Sequence, residues 1–246
     1  MVLESSLSDG FLTRTYLVGD GNGKAFFVDA GGAIEPLIAK AKADGLEITH
    51  VLLTHHHHDH VSDLPAVLDA FPGVPVLIHA NEADKVEGVT ATIEDGERIS
   101  AGGLEVVALL TPGHTSGMLA LVADGEVFTG DTLFKRSVGG VRGPDHTTYE
   151  DLKRSVMDTL MGLDHDLVVR PGHTDPTTIG EEWEHNPFIR LWRGLDDEGT
   201  EQITVWDQPA TLVLDGPDYD GGHKAWVRWP DGSDDIVPGS QVERTA

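Results

Sequence analysis

The chain has no cysteine among its 246 residues. Disulfides, thiolate metal ligands and a cysteine nucleophile are excluded together. Basic residues are scarce: 17 Lys and Arg stand against 42 Asp and Glu, a formal charge of −25. Phosphate backbones are gripped by clustered Lys and Arg, so nucleic acid is not an expected partner, and the acidic excess reads as a solubilising surface. No apolar run approaches the roughly 20 residues of a membrane span. The opening Met1-Val2-Leu3-Glu4-Ser5-Ser6 has neither a basic nor an apolar leader region. The expectation is a soluble cytoplasmic protein without a membrane partner.

What the chain does have is concentrated in one place. The apolar stretch Val51-Leu52-Leu53-Thr54 runs into His-His-His-His-Asp-His, His55 to His60. Imidazoles and a carboxylate are costly to bury unless something pairs with them, and a divalent metal pairs with all of them. The run reads as His-x-His-x-Asp-His, with His55, His57, Asp59 and His60 as ligands and His56 and His58 as fillers. Such a nitrogen and oxygen set suits zinc, and also iron or manganese. An affinity tag would normally sit at a terminus and lack the aspartate.

Three further strands run out into loops with a metal-capable residue at the tip. Thr111-Pro112-Gly113-His114 follows Leu104 to Leu110, Asp131 follows Glu126 to Thr129, and Arg170-Pro171-Gly172-His173 follows Asp166 to Val169. Layered α/β proteins hold ligands on such loops.

With Asp29 in Val-Asp-Ala-Gly-Gly, these five motifs resemble the metallo-β-lactamase superfamily from about residue 10 to about residue 194. The resemblance implies an α/β fold, an αββα sandwich, and two divalent ions. His55, His57 and His114 would hold the first, Asp59, His60 and His173 the second, and Asp131 would bridge them. Asp29 would support the ligand loop without touching metal.

The coarse pattern suits that fold. Phe11 to Val18 and Lys24 to Asp29 read as a hairpin around the Gly19–Gly23 turn; Ile34, Leu37, Ile38 and Ala41 recur at helical spacing, with Gly45 as a stop. Thr147 to Leu160 reads as an amphipathic helix with Leu152, Val156 and Leu160 on one face. A domain over 1–194, a linker over 195–202 and a small β-rich, barrel-like unit over 203–246 are the expected partition. Trp206, Tyr219, Trp226 and Trp229 read as that small unit's core, or else as a binding face. A chain ending near Gly194 is then expected to stay soluble and keep every ligand.

The expected chemistry is hydrolysis. Two ions roughly 3.5–4 Å apart acidify a bridging water, with Asp59 orienting the nucleophile; no serine lies in a nucleophile-elbow context. Within the superfamily an aspartate at the position of Asp131 accompanies thioester, lactone and phosphodiester hydrolases, whereas true β-lactamases place cysteine there or leave it out. Gly130-Asp131-Thr132-Leu133-Phe134, Gly172-His173-Thr174, Thr177 to Glu182 and Asn186-Pro187-Phe188 resemble the short bacterial glyoxalase II group, hydrolases of hydroxyacyl-glutathione thioesters. The β-like tail departs from the helical C-terminal domain of the larger enzymes. Lys135, Arg136 and Arg142 are candidates to hold a substrate carboxylate. The alternatives are a lactonase or phosphodiesterase of the same superfamily, an iron persulfide dioxygenase using His55, His114 and Asp131 alone, and a non-catalytic metal-binding module.

Overall fold

The computed structural model describes residues 2–244. Two six-stranded sheets form its centre. The first has the order β1 (Val2–Leu7), β2 (Arg14–Gly19), β3 (Lys24–Val28), β4 (Glu47–Leu52), β5 (Val76–His79) and β6 (Ala91–Ile93). β1 to β3 pair antiparallel and β3 to β6 parallel. The second sheet contains β7 (Arg98–Ala101), β8 (Leu104–Leu110), β9 (Leu119–Ala123), β10 (Glu126–Gly130), β13 (Val168–Pro171) and β14 (Thr177–Thr178), in the order β14-β13-β10-β9-β8-β7. A small hairpin, β11 (Leu133–Phe134) and β12 (Ser137–Val138), follows β10.

Strand alternation explains why both sheets need partners on both faces. Tyr16 and Val18 of β2 and Phe26 and Val28 of β3 point into the core between the sheets, against Val106, Ala108, Leu119, Leu121 and Phe128. Their neighbours Leu17, Ala25 and Phe27 face outward, under α1 (Glu35–Ala43) and α3 (Leu64–Ala70). Phe27 is fully buried, and truncating such a ring to Ala costs about 3–5 kcal/mol. On the far side, Ala120, Val127 and Val169 lie under α4 (Tyr149–Arg154), α5 (Ile179–His185) and α6 (Pro187–Trp192). The layers are therefore α, β, β, α, as expected.

The helix ends follow local chemistry. Thr148 accepts from Asp151 N (3.1 Å), Thr178 from Glu181 N (3.0 Å) and Asn186 from Phe188 N (3.0 Å), each filling an orphan donor of a first turn. α1 stops at Gly45, whose φ of +65° suits glycine. The expected helix over 147–160 is α4 continued by a wider π-type turn over Ser155–Leu160, with Leu152, Val156 and Leu160 all buried. β1 has no counterpart in the sequence reading. It is a sheet edge carrying Glu4, Ser5 and Ser6, and polar edge strands lack the alternation that marks a half-buried one. The hairpin strand begins at Arg14, and Phe11 is left exposed in the preceding turn.

The tail forms a five-stranded antiparallel sheet, β15 (Glu201–Val205), β16 (Gln208–Pro217), β17 (His223–Arg228), β18 (Asp234–Pro238) and β19 (Val242–Arg244), in the order β18-β17-β16-β15-β19. β15 starts at Glu201, so the irregular connection covers 195–200. One face makes its own core from Ile203, Val205, Ala210, Leu212, Ala225, Val227 and Val237. The opposite face docks: Val213, Trp226 and Ile236 belong to the core beneath α4, α5 and α6. Trp226 packs on Tyr149 and Trp192 at centroid distances of 5.4 and 6.3 Å. Among the described residues no helix is long and apolar enough to cross a membrane.

Candidate metal centre

The donors stand on loops that leave strand ends. Asp29 follows β3, His55 follows β4, and His57 precedes the single-turn helix α2 (His58–Val61), which holds Asp59 and His60. His114 lies between β8 and β9, Asp131 follows β10, and His173 follows β13. The chain brings these side chains together in three groups, each with ligand atoms within 4.8 Å of one another: His55, His57 and His114; His55, His60 and Asp131; and Asp59, His60 and His173. Asp131 lies between the first and the last. Its Oδ1 is 3.3 Å from His60 Nε2, and its Oδ2 is 3.2 Å from His173 Nε2 and 3.5 Å from His114 Nε2.

Two glycines make this approach possible. A side chain on Gly172 would collide with the Asp131 carboxylate and with His60 Cε1 at 2.7 Å, and one on Gly31 would collide with the Asp59 carbonyl.

Hydrogen bonds around the cluster fix which ring nitrogen faces inward. His60 donates from Nδ1 to Asp29 Oδ2 (2.9 Å), His114 from Nδ1 to Gly140 O (2.9 Å), and His57 from Nε2 to Pro144 O (3.1 Å). Each outer bond leaves the other nitrogen with a lone pair turned inward. The inward pair His57 Nδ1 and His114 Nε2 is separated by 2.9 Å. Two lone pairs at that distance repel unless a cation lies between or beside them. His55 Nε2, His60 Nε2 and Asp131 Oδ1 are buried without any hydrogen-bond partner. A concentration of orphaned buried donor atoms has to be explained, and a divalent ion satisfies all of them at once.

Electrostatics agree for three of the imidazoles. Burial holds the imidazoles of His55, His57 and His114 below their usual range, His114 at about 4. They are neutral near pH 7, the form a metal requires. Burial also acts downward on His60, but Asp131 and Asp29 outweigh it and raise the imidazole well above normal. For Asp131, burial pushes upward, while His173 and His60 outweigh it and hold the carboxyl well below its usual range.

Asp29 acts on the ligand loop. Besides His60, its carboxylate accepts from Thr54 N (2.7 Å) and Thr54 Oγ1 (2.9 Å), fixing the turn that carries His55. Asp29 holds φ +60° in doing so.

The sequence model of the metallo-β-lactamase superfamily matches residues 8–173, two thirds of the chain, ending on His173. The chain belongs to that superfamily. It is 36% identical over 196 residues to an uncharacterized protein of Mycobacterium tuberculosis, covering 67% of this chain and 87% of that one. It is 30% identical over 189 residues to a hydroxyacylglutathione hydrolase of Rhizobium meliloti, covering 63% and 73%. The crystal structure of TTHA1623 in a di-iron-bound form superposes with a TM-score of 0.66 at 30% identity, covering 75% of this chain and 99% of that one. About a quarter of this superfamily member therefore has no counterpart there.

Of the candidate substrate cations, the structure brings only Arg142 to the cluster's cleft. Arg142 lines it with His114 and Asp131, pairs with Asp235 of β18, and lies over the Trp206 and Trp229 rings at 5.2 and 5.8 Å. Arg136 instead pairs with Glu181 on α5 (3.2 Å), and Lys135 is exposed.

Three contributors, Thr13, Glu82 and Lys224, escaped the sequence reading, and Tyr219 was read there only among the tail's aromatics. Thr13 Oγ1 donates to Asp59 Oδ2 (2.7 Å). Glu82, fully buried after β5, accepts from Gly117 N (2.7 Å) and His56 N (3.3 Å) and pairs with the His56 ring. It thus joins the His55–His60 loop to the loop carrying His114. Burial opposes ionisation of Glu82, but hydrogen bonds from His56 and Gly117 outweigh it and lower its pKa. Tyr219 and Lys224 come from the tail sheet. A lone glutamate has no motif, whereas Lys224 carried a signal: in an alternating strand it shares a face with Trp226.

Proposed function

We propose that the chain is a binuclear metal-dependent hydrolase whose preferred substrates are thioesters of the hydroxyacyl-glutathione type or related esters. The observation that carries this reading is the pair of three-residue donor groups, His55/His57/His114 and Asp59/His60/His173, with Asp131 within reach of both. The relatives named hydroxyacylglutathione hydrolase add support for the thioester. The di-iron-bound relative supports two ions, with zinc, iron and manganese all compatible with the nitrogen and oxygen donors.

When bound, two divalent ions acidify a water to give a nucleophile near neutral pH and polarise the oxygen that gains charge. The rest of the work falls to the chain. Asp59, held through Oδ2 by Thr13, orients the attacking water and accepts its proton. Asp29, Gly140 and Pro144 keep the imidazoles aimed inward, so little reorganisation accompanies the reaction. Arg142 offers guanidinium N–H groups to a substrate carboxylate at the cleft wall.

The test is metal analysis of protein purified without chelators, followed by a panel of thioesters, lactones, phosphodiesters and a persulfide. Two ions per chain with fastest turnover of thioesters is the expected result. One iron per chain with oxygen uptake on the persulfide would replace this reading by the mononuclear oxidoreductase, and would leave His57, Asp59, His60 and His173 without a task.

A further inference from the structure

The loop of residues 139–148, between β12 and α4, supplies the outer acceptors for two imidazoles of the His55/His57/His114 group. Gly140 O takes the Nδ1 proton of His114 (2.9 Å), and Pro144 O the Nε2 proton of His57 (3.1 Å). The two carbonyls can aim the rings only if the backbone between them is held. Glycines at 139, 140 and 143 give that backbone little stiffness of its own. Towards its ends the loop is tied to the body: Gly139 N donates to Thr132 O (3.1 Å), Ser116 N to Asp145 O (3.0 Å) and Thr147 N to Gly113 O (3.0 Å). In the middle, Val141 is buried in the core beneath α4, α5 and α6, and Arg142 reaches the tail sheet.

Arg142 is gripped there by three residues. Its guanidinium pairs with the buried Asp235 of β18, whose Oδ2 also accepts from Trp229 Nε1 (3.2 Å). It lies 5.2 Å from the Trp206 ring centre and 5.8 Å from that of Trp229, and the two indoles are stacked at an interplanar angle of 22°. Trp206 holds φ +48° and Asp207 φ +60° in the two-residue turn between β15 and β16, as in a type I′ hairpin. A bulky ring is disfavoured at such an angle. Trp206 is also 43% exposed, so core packing does not explain it. The strained residue stands where its indole covers Arg142.

We propose that Arg142 is a positioning residue for the His55/His57/His114 site: through Asp235, Trp206 and Trp229, the tail sheet fixes the loop that aims His57 and His114. This rests on the two-ion reading above. The strut acts on one ion and leaves the other, because the outer partners of Asp59 and His60 are Thr13 and Asp29, both in the body. With metal in excess both sites fill, so the effect is one of affinity and not of number.

The experiment uses the full-length protein loaded with zinc, and a chelator titration that resolves two dissociation steps. Arg142→Met should weaken one step about ten-fold, the lower end of the loss for an outer partner of a metal ligand, and leave the other unchanged. Arg142→Lys keeps a cation for Asp235 without the planar group beside the indoles, and should recover part of the loss. Trp206→Gly removes one indole and relieves the turn. It should weaken the same step roughly two- to five-fold, the worth of an exposed cation–π contact, and it serves even if Arg142→Met leaves Asp235 unpaired and fails to fold. In the metal-free protein, hydrogen exchange of the ring N–H protons, followed by NMR, reads the strut without any metal. Those of His114 and His57 should exchange faster in the variants, and that of His60, held by Asp29, should not. Unchanged chelator steps with unchanged ring exchange would overturn the proposal, as would equal losses at both steps with faster exchange at His60. A wild-type protein that loads a single ion would sink the two-ion reading, and the ring exchange would still decide whether Arg142 holds the loop.

Discussion

The two-sheet body and the tail sheet bury their polar groups in opposite ways. In the body, buried donors crowd one edge, and several have no protein partner at all, among them His55 Nε2 and His60 Nε2. In the tail, the buried charges are answered by the protein itself: Lys224 by Asp218 and Val138, Asp235 by Arg142 and Trp229 Nε1. The body's donor edge is thus incomplete without an added cation, whereas the tail's buried charges Lys224 and Asp235 are paired within the protein. On the proposed reading the chemistry belongs to the body, and variants in the body and in the tail should move different observables.

The strongest way to break the comparison is to remove the tail. Ending the chain after Gly194 leaves every donor in place but strips Val213, Trp226 and Ile236 from the core that covers Tyr149 and Trp192. Exposing a contiguous apolar face of that kind leads to association, so the truncated chain should be recovered as aggregate. A soluble truncation that still holds its metals would show that the sheet is a separable unit, as the sequence pattern suggests. Trp226→Ala in the full chain is the milder form, and should lower unfolding free energy by about 3–5 kcal/mol in denaturant titration.

Next in size is Asp131→Ala. Among the described residues it alone reaches His60, His114 and His173 together. Bound metal should fall from two ions to at most one, with activity down by several orders of magnitude, since the acidified water supplies most of the rate. Tail variants should instead leave the metal content intact. A variant retaining two tightly held ions would remove Asp131 from between them.

This division also explains what could be read from the sequence. The donors are legible because each sits where an apolar strand gives way to a loop, and the His55–His60 run compresses four of them into one turn. Asp29 was legible only through the resemblance, yet its bonds to His60 and Thr54 are those of a supporting group. The tail's share was not legible, because strand alternation shows that Lys224, Trp226 and Ala225 face two ways without showing which face docks. Trp226 fills the body's core, Tyr219 covers His173, and Trp206 and Trp229 bracket Arg142. These aromatic residues, read as one group, have three separate tasks. Glu82 was illegible because its partners, Gly117 and His56, are distant in sequence.

Glu82→Gln tests the body more gently. The amide keeps the volume but replaces one acceptor by a donor, facing either the Gly117 N–H or the His56 N–H and ring. The two ligand loops should lose their common anchor, and metal affinity in a chelator competition should drop about 10–100-fold, as for other outer partners of metal ligands. His56→Ala removes the same link from the other side and should fall in the same range. Unchanged affinity in both variants would mean the loops are held without the clamp.

The smallest effect is expected one turn away. His56 and His58 occupy equivalent filler positions in the motif, but only His56 is partly buried against Glu82; His58 is exposed at the start of α2. Exposed substitutions away from caps and networks change stability by less than about 0.5 kcal/mol. Alanine is also a better helix former than histidine, so His58→Ala should leave metal content, kcat and KM within about two-fold of wild type on those grounds. The pair therefore reads the register of the whole run, since one filler should matter and the other should not. If His58→Ala lowers metal affinity as much as His56→Ala does, the imidazole of His58 turns toward the cluster, and the assignment of alternating ligands from His55 to His60 has to be redrawn.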